Sequence, residues 1–337
     1  MSSYPAGATA RDRFVLDRRP PRPQHDPWRA QGWLVEDERA PDGTVARVAT
    51  VFLTGRECPW RCVMCDLWQY TTDSDTPRGA IPAQITDVRR ALESSSHPVT
   101  GMKLYNAGSF FDPRAVPDAD YDDIAARLTH LTDVIVESHP SLIGARTSRF
   151  LTALESNRSP DAAAPALEVA MGLETAHPDA LERLHKRMTV DGFRLAADEL
   201  RALGVALRVF LLVSPPFVPH AEQDDWLLRS IDVALAAGAS AISLIPTRTG
   251  NGALETLEHE GWFRQPTLSD LERSLALAHT HASGSGARIF ADLWNLDRFA
   301  ACGHCLEARR GRLHAMNLEQ RVLPQPPCPQ CQEQFAV

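Results

Sequence analysis

Lysine is almost missing from this chain: Lys103 and Lys186 stand beside 33 arginines. A compositional leaning towards arginine accounts for most of that bias, so each surviving lysine is worth locating. No apolar run approaches the ~20 residues that span a bilayer. The N-terminus has no apolar h-region, so neither a membrane span nor secretion is expected. Disulfide-style cysteine pairs are absent as well. The seven cysteines, an odd number, fall into metal-like groups, which suits a reducing cytoplasm. A basic surface is also lacking: the net charge of −8 excludes strong non-specific nucleic-acid binding by the whole surface, though not by a local patch. What the chain does have is length and apolar content. Its 337 residues, 44% of them hydrophobic, suffice for one α/β barrel with additions.

The chain is organised around residues 51 to 70, VFLTGRECPWRCVMCDLWQY. An apolar β-branched run ends at Thr54-Gly55, and Cys58, Cys62 and Cys65 follow in CxxxCxxC spacing. A structural zinc site wants four ligands, usually as two CxxC pairs. Here three thiolates share one loop, and no fourth cysteine lies within two hundred residues. Three thiolates can hold three irons of a [4Fe-4S] cube and leave the fourth iron open. Three chance or buried cysteines would be the bland reading, and their placement after a strand weighs against it.

Before this loop, residues 1 to 32 are polar and proline-bearing, with arginines at 11, 13, 18, 19 and 22, and read as an irregular arm. Pro41-Asp42-Gly43 marks a hairpin into the cysteine-bearing strand. After the loop, strands and helices alternate. Strand candidates are 102–105, 134–136, 167–171, 207–213, 241–245 and 288–291, with helical spacing between them. Asp191 is expected to cap the helix over 191–203, and Ser269 with Glu272 to form a capping box. Repeated β-α units with short connections imply a parallel sheet closed or nearly closed as a barrel, with chemistry at the C-terminal strand ends. Asn106, Ser109, Glu137, Glu174, Thr175 and Thr247 fall at those ends. Each alone fits a turn or cap; together on one rim they suggest a shared site.

Two CxxC pairs, Cys302/Cys305 and Cys328/Cys331, stand 22 residues apart near the C-terminus. Four thiolates in this pattern match a closed tetrahedral Zn²⁺ site, and a second Fe-S cluster is the alternative. Between them Arg309, Arg310 and Arg312 form a small basic patch that can face RNA phosphates or solvent.

The cysteine loop, with YNAGSFFDPRAVP, VIVESHP, VAMGLET, LLVSPPF and the terminal cysteine pairs, resembles the radical S-adenosylmethionine (radical SAM) superfamily. Within it the likeness is to the archaeosine-synthesis branch, near the catalytic subunit of Elongator, from about residue 45 onward. Met64 departs from the aromatic residue usual before the third cysteine, and the usual GGE is absent. No room for Elongator's acetyltransferase domain is expected. The resemblance implies an α/β fold, a partial (β/α) TIM-like barrel with a small C-terminal four-cysteine metal module. Its divisions would be an arm and hairpin over 1–44, a core over 45–295 and the module over 296–337. Cys58, Cys62 and Cys65 would hold a [4Fe-4S] cluster whose open iron takes the methionyl amine and carboxylate of SAM. Reduction would then release a 5′-deoxyadenosyl radical.

By the same resemblance Asn106, Gly108 and Ser109 stand where the amine-binding segment lies. Glu137 and Glu174 would meet ribose or amine, and Lys186 the SAM carboxylate. The implied substrate is a tRNA deazaguanine carrying a lysine adduct whose C–N bond is cleaved. A small metabolite is the alternative, and a zinc-ribbon nucleic-acid-binding protein the non-enzymatic one. An electron donor such as a flavodoxin or ferredoxin is the implied partner, and the cytoplasm the expected compartment.

Overall fold

In this computed structural model, residues 4–93, 98–158 and 163–334 are described, with side chains to Cys331. The arm begins with α1 (Ala8–Leu16). Strand β1 (Gly32–Arg39) then pairs antiparallel with β2 (Val45–Leu53), across the turn where Gly43 takes a left-handed φ of 87°. From β2 onward the sheet grows in chain order and in parallel through β3 (Gly101–Asn106), β4 (Asp133–Glu137), β5 (Ala166–Glu174), β6 (Ala206–Val213), β7 (Ala239–Pro246) and β8 (Arg288–Ala291). The eight strands form one curled partial barrel.

Between the strands lie α2 (Ala80–Glu93), α3 (Tyr121–Ala126), α4 (Ala145–Asn157), α5 (Pro178–Arg183), α6 (Val190–Ala202), α7 (Gln223–Ala236), α8 (Ala253–His259) and α9 (Leu268–His281). The tail adds α10 (Leu306–Glu319) and α11 (Pro329–Gln334). Strand residues of one parity, such as Val51, Leu104, Val136, Val169, Val209, Ile242 and Ile289, face the helices and form the main core. No described helix is long and apolar enough to cross a membrane.

The opposite parity faces the barrel interior in three tiers. The floor is ionic. Glu38 takes Lys103 (2.5 Å) and Arg208 (2.5 Å), while Glu168 takes Arg208 (2.5 Å) and Arg288 (2.9 Å). Because Glu38 belongs to β1 and Arg288 to β8, this network bridges the two edges of the sheet. Above it stand Phe52, Tyr105, Phe210 and Phe290, with Trp294 beyond β8. Phe52 meets Trp294 edge-on at 5.0 Å, and Tyr105 meets Phe210 edge-on at 6.0 Å. All of these but Phe290 are only half-buried although they point inward, so the chamber above the floor is hollow. The third tier is the mouth.

The free edge of β8 is capped by side chains of α10. Asn317 accepts from Ala291 N (2.8 Å) and donates to Ala291 O (2.9 Å), and Gln320 does the same at Ile289 (2.7 and 2.9 Å). Two amides about one helical turn apart thus replace a neighbouring strand.

Three local expectations are corrected. The arm is irregular only in part: it opens with α1, and residues 17–31 then hold no helix or strand. From Tyr4 onward it packs on the mouth, because Tyr4, Phe14 and Val15 bury against Val63, Leu184, Phe217 and Leu254, and because its charges find partners. Arg11 pairs with Glu182, and Asp12 with His185 and Arg187. The cap of α6 is Thr189, ahead of Asp191, and its hydroxyl accepts from Gly192 N at 3.0 Å. The box on α9 is Thr267 with Asp270. That leaves Glu272, buried, free to bind arginines of the tail.

Candidate active site at the barrel mouth

The strand β2 ends at Leu53, and the three-cysteine loop leaves from there over the mouth. Side chains and backbone from elsewhere hold it in place. Glu57 takes Arg19 (2.8 Å), Arg22 (3.2 Å) and Arg61 (3.1 Å). Arg61 also donates to the carbonyls of Cys58 (2.6 Å) and Trp60 (2.9 Å). Val63 N donates to Leu184 O (3.0 Å), and the buried Asn251 donates to the carbonyls of Val63 (2.8 Å) and Cys65 (3.2 Å). Trp60 lies flat on the His139 ring at 3.8 Å and 14°.

The three thiols are short of water. Burial pushes Cys58 up to about 11 and Cys62 up to about 12, and it lifts Cys65 well above the usual thiol range, helped by the other two sulfurs. Thiols so placed ionise only against nearby positive charge, which metal binding supplies. The donor set therefore fits a soft metal centre.

Beside the loop, the ends of β3, β4 and β5 converge. Asn106 is 4% exposed, and neither its amide nitrogen nor its carbonyl oxygen has a partner among the described residues. A buried amide with both ends unmet marks a place for a polar ligand. A β-carbon at Gly108 would collide with the Arg56 carbonyl oxygen, so only glycine lets this segment lie against the cysteine loop. Ser109, at φ 72°, turns its hydroxyl to accept from His139 N at 3.1 Å.

Glu137 points into the mouth from β4. Burial raises its pKa to about 7, with Lys186 opposing and Glu174 adding to the rise. Glu174 sits on a bulge of β5 at φ 67°. Lys186 donates to Glu174 (2.5 Å) and to Gly172 O (2.6 Å). Both side chains lie across Gly172, where a β-carbon would strike them. Burial alone would discharge Lys186; Glu174 and Cys62 override it and keep its pKa above the ordinary lysine value. Its neighbours His185 and Arg187 both hold left-handed φ, as does Ser214 on the next rim. Such conformers cost about 1–3 kcal/mol each and persist where surrounding contacts fix them, as at ligand sites.

No family model matches the chain. Archaeosine synthase subunit beta of Methanosarcina acetivorans is 27% identical over 259 residues, covering 74% of this chain and 70% of that protein. An uncharacterized protein of Methanocaldococcus jannaschii is 22% identical over 251 residues, 70% of this chain and 65% of that one. The Elp3 structure from Methanocaldococcus infernus shares the fold, with TM-score 0.51 at 11% identity over 70% of this chain and 59% of that one. The chain therefore spans less than two thirds of the last two relatives' length.

Of the rim residues expected from sequence, Asn106, Ser109, Glu137, Glu174 and Lys186 do gather at this mouth. Thr175 and Thr247 do not serve it: the first accepts from His177 N, and the second donates to Val213 O, tying strand ends. Sequence reasoning missed His139. Its Nδ1 accepts from Ser141 N (3.1 Å), so Nε2 donates to Lys186 O (2.9 Å), and burial lowers its pKa to about 3. The imidazole is thus a neutral spacer between the cysteine loop and the lysine. Its place at a strand end, in Glu137-Ser138-His139-Pro140, was the available signal. Asn251, Arg248 and Asp292 were missed as site residues because only the folded chain brings them near the cysteines.

The C-terminal module is built from the other four cysteines. All four sulfurs lie within 4.8 Å of one another, with Cys302–Cys328 at 4.0 Å and Cys305–Cys331 at 3.7 Å. A tetrahedron with metal–sulfur bonds of ~2.3 Å needs sulfurs ~3.8 Å apart. The arginines between the pairs do not form an open phosphate patch. Arg309 and Arg312 turn inward onto Glu272, whose side chain is 2% exposed, at 2.6 and 3.3 Å, and Arg310 pairs with Glu307. They clamp the module to α9.

Proposed function

We propose that this enzyme holds a [4Fe-4S] cluster on Cys58, Cys62 and Cys65, binds SAM beside it and acts on a modified nucleobase of tRNA. The observation that carries the reading is the placement of three half-buried loop thiols beside a hydrogen-bonding set that has spare capacity. Among the described residues Asn106 offers an unmet donor and acceptor, Glu137 an unpaired carboxylate, and Lys186 a buried ammonium. When bound, the cluster and SAM supply one-electron reductive cleavage of the sulfonium to a 5′-deoxyadenosyl radical, which abstracts a substrate hydrogen.

The chain's own residues position and exclude. Asn106, Gly108 and Ser109 present amide and backbone groups to the methionyl amine. Glu137 and Glu174 accept from amine or ribose hydroxyls, and Lys186 offers its ammonium to the carboxylate, exchanging part of its bond to Glu174. The arm and Trp60 keep water from the loop. The hollow chamber, walled by Phe52, Tyr105, Phe210 and Trp294, suits a flat ring. A nucleobase in tRNA is preferred because archaeosine synthase subunit beta carries that name, and cleavage of a C–N bond to a lysine adduct of a deazaguanine is the reaction we assign. An electron donor such as a flavodoxin or ferredoxin is required. The four-cysteine module is assigned Zn²⁺, since its sulfur spacing suits one ion and not a cube.

Reduced, anaerobically purified protein given SAM and bulk tRNA should yield 5′-deoxyadenosine and change one tRNA nucleoside by mass spectrometry. Cleavage of SAM with no nucleoside changed would leave the enzyme and remove the tRNA substrate, favouring a small metabolite. Cys328→Ser should lower tail metal from one zinc per chain and free α10 first, since structural zinc contributes roughly 10–16 kcal/mol in small peptides. Hydrogen exchange at Ile289 and Ala291, capped by Gln320 and Asn317, should then rise before exchange in β3–β6. Iron in that site, or unchanged exchange at β8, would contradict this assignment.

A further inference from the structure

The mouth has a second charged half that the cofactor reading leaves unused. On β8 Arg288 and Phe290 face the interior, and Asp292 follows with the same parity. Asp292 N continues the ladder to Leu244 O at 2.9 Å, and the Asp292 side chain is 8% exposed. One carboxylate oxygen accepts from Trp294 N (2.9 Å), and the other meets Nη2 of Arg248, which follows β7. Arg248 has donors to spare: its Nε is buried and has no partner among the described residues. Asp66, next to Cys65, is near enough for Arg248 and Arg298 to act on its charge, yet it makes no ion pair among the described residues. Glu36 reaches the same corner, where it accepts from Trp294 Nε1 at 3.1 Å.

Asn251, three residues after Arg248, holds the cysteine loop itself. A guanidinium with a free edge beside two carboxylates has the complement of a zwitterion. The free edge of Arg248 can take a carboxylate, while Asp292 and Asp66 accept an ammonium.

We propose that Arg248 and Asp292 form the receptor for an α-amino-acid head group on the substrate, whose ring enters the chamber. The proposal rests on the enzymatic reading above and adds to it the residues that select the substrate. A plain ion-pair staple between β7 and β8 would explain the Arg248–Asp292 contact, but not an unmet guanidinium nitrogen beside a second, unpaired carboxylate.

Ligand-observed NMR on SAM-loaded holoenzyme tests it with three probes. L-lysine carries both head-group charges, cadaverine lacks the α-carboxylate, and 6-aminohexanoate lacks the α-ammonium. L-lysine should bind at least about tenfold tighter than either, the worth of one charge-assisted hydrogen-bonded contact. Arg248→Met and Asp292→Asn should each erase that preference while iron and tail-metal contents stay at wild-type values. Arg248→Lys, which keeps charge without the fork, should recover part of it and guards against a variant that fails to fold. Equal binding of the three probes to wild type, or an undiminished preference in Arg248→Met, would overturn the receptor and leave a staple. Selective L-lysine binding with no tRNA nucleoside changed would retain the receptor and remove the tRNA reading. Undiminished tRNA turnover in Arg248→Met would do the opposite.

Discussion

Cys62→Ala should leave the protein with no loop cluster and no SAM cleavage, while the C-terminal metal stays in place. The thiol lies at the centre of the loop. Burial and the Cys58 sulfur push its pKa up to about 12, so it becomes a thiolate ligand only as metal arrives. Neither His139 nor Glu57 is placed as a substitute: His139 is stacked under Trp60 with both ring nitrogens engaged, and Glu57 is held by arginines. Two thiolates cannot hold a cube that wants three or four. Backbone anchors at Val63 and Cys65 do not involve the sulfur, so the fold should survive. Iron, sulfide and zinc analysis, electron paramagnetic resonance and 5′-deoxyadenosine yield read the result. Wild-type protein free of iron after strict anaerobic purification would sink the proposal at its root.

The architecture was legible because its signals are local and repeated. Seven strands were visible as short apolar runs after turn residues, and each proves to be a strand, three of them one or two residues longer than expected, three longer still and β8 of the expected length. The C-terminal cysteine group was legible from spacing alone, since ligand chemistry sets those intervals. The arm was not. Its apolar residues are few, Tyr4, Phe14 and Val15 among arginines and prolines, and nothing in residues 1 to 32 says that a mouth lined by Val63, Leu184 and Phe217 awaits them. The arginines of the tail misled in the same way. Arg309 and Arg312 look free in sequence because their partner Glu272 stands 37 and 40 residues earlier, on α9, where it resembles a helix-capping residue. Asp292 and Arg248 fall 44 residues apart. Only strand order makes them neighbours, so tertiary pairing decides where local rules are silent.

Glu168→Gln should produce the largest loss of stability among single changes outside the metal sites. Glu168 lies at the floor of the barrel, its side chain 11% exposed, between Arg208 at 2.5 Å and Arg288 at 2.9 Å. Arg208 is itself 3% exposed, and with Glu168 neutral it shares Glu38 with Lys103 and Arg288. Removing one partner of a buried pair leaves uncompensated charge, at a cost of about 3–5 kcal/mol, even where the intact pair adds little net stability. The pH dependence follows from the carboxylates. Burial works to raise the pKa of Glu38 and of Glu168, but in each case arginines win and hold it below the ordinary glutamate range. A depressed carboxylate contributes stability that is present above its unfolded value, about 4.3, and is lost as pH falls through the folded value. Wild type should therefore weaken on acidification below roughly pH 4, and Glu168→Gln, having lost one such group, should show a shallower acid slope. Urea denaturation of the first transition at neutral and acid pH measures both. A neutral-pH loss under about 1 kcal/mol, the range of exposed ion pairs, would mean that water reaches the floor and screens it.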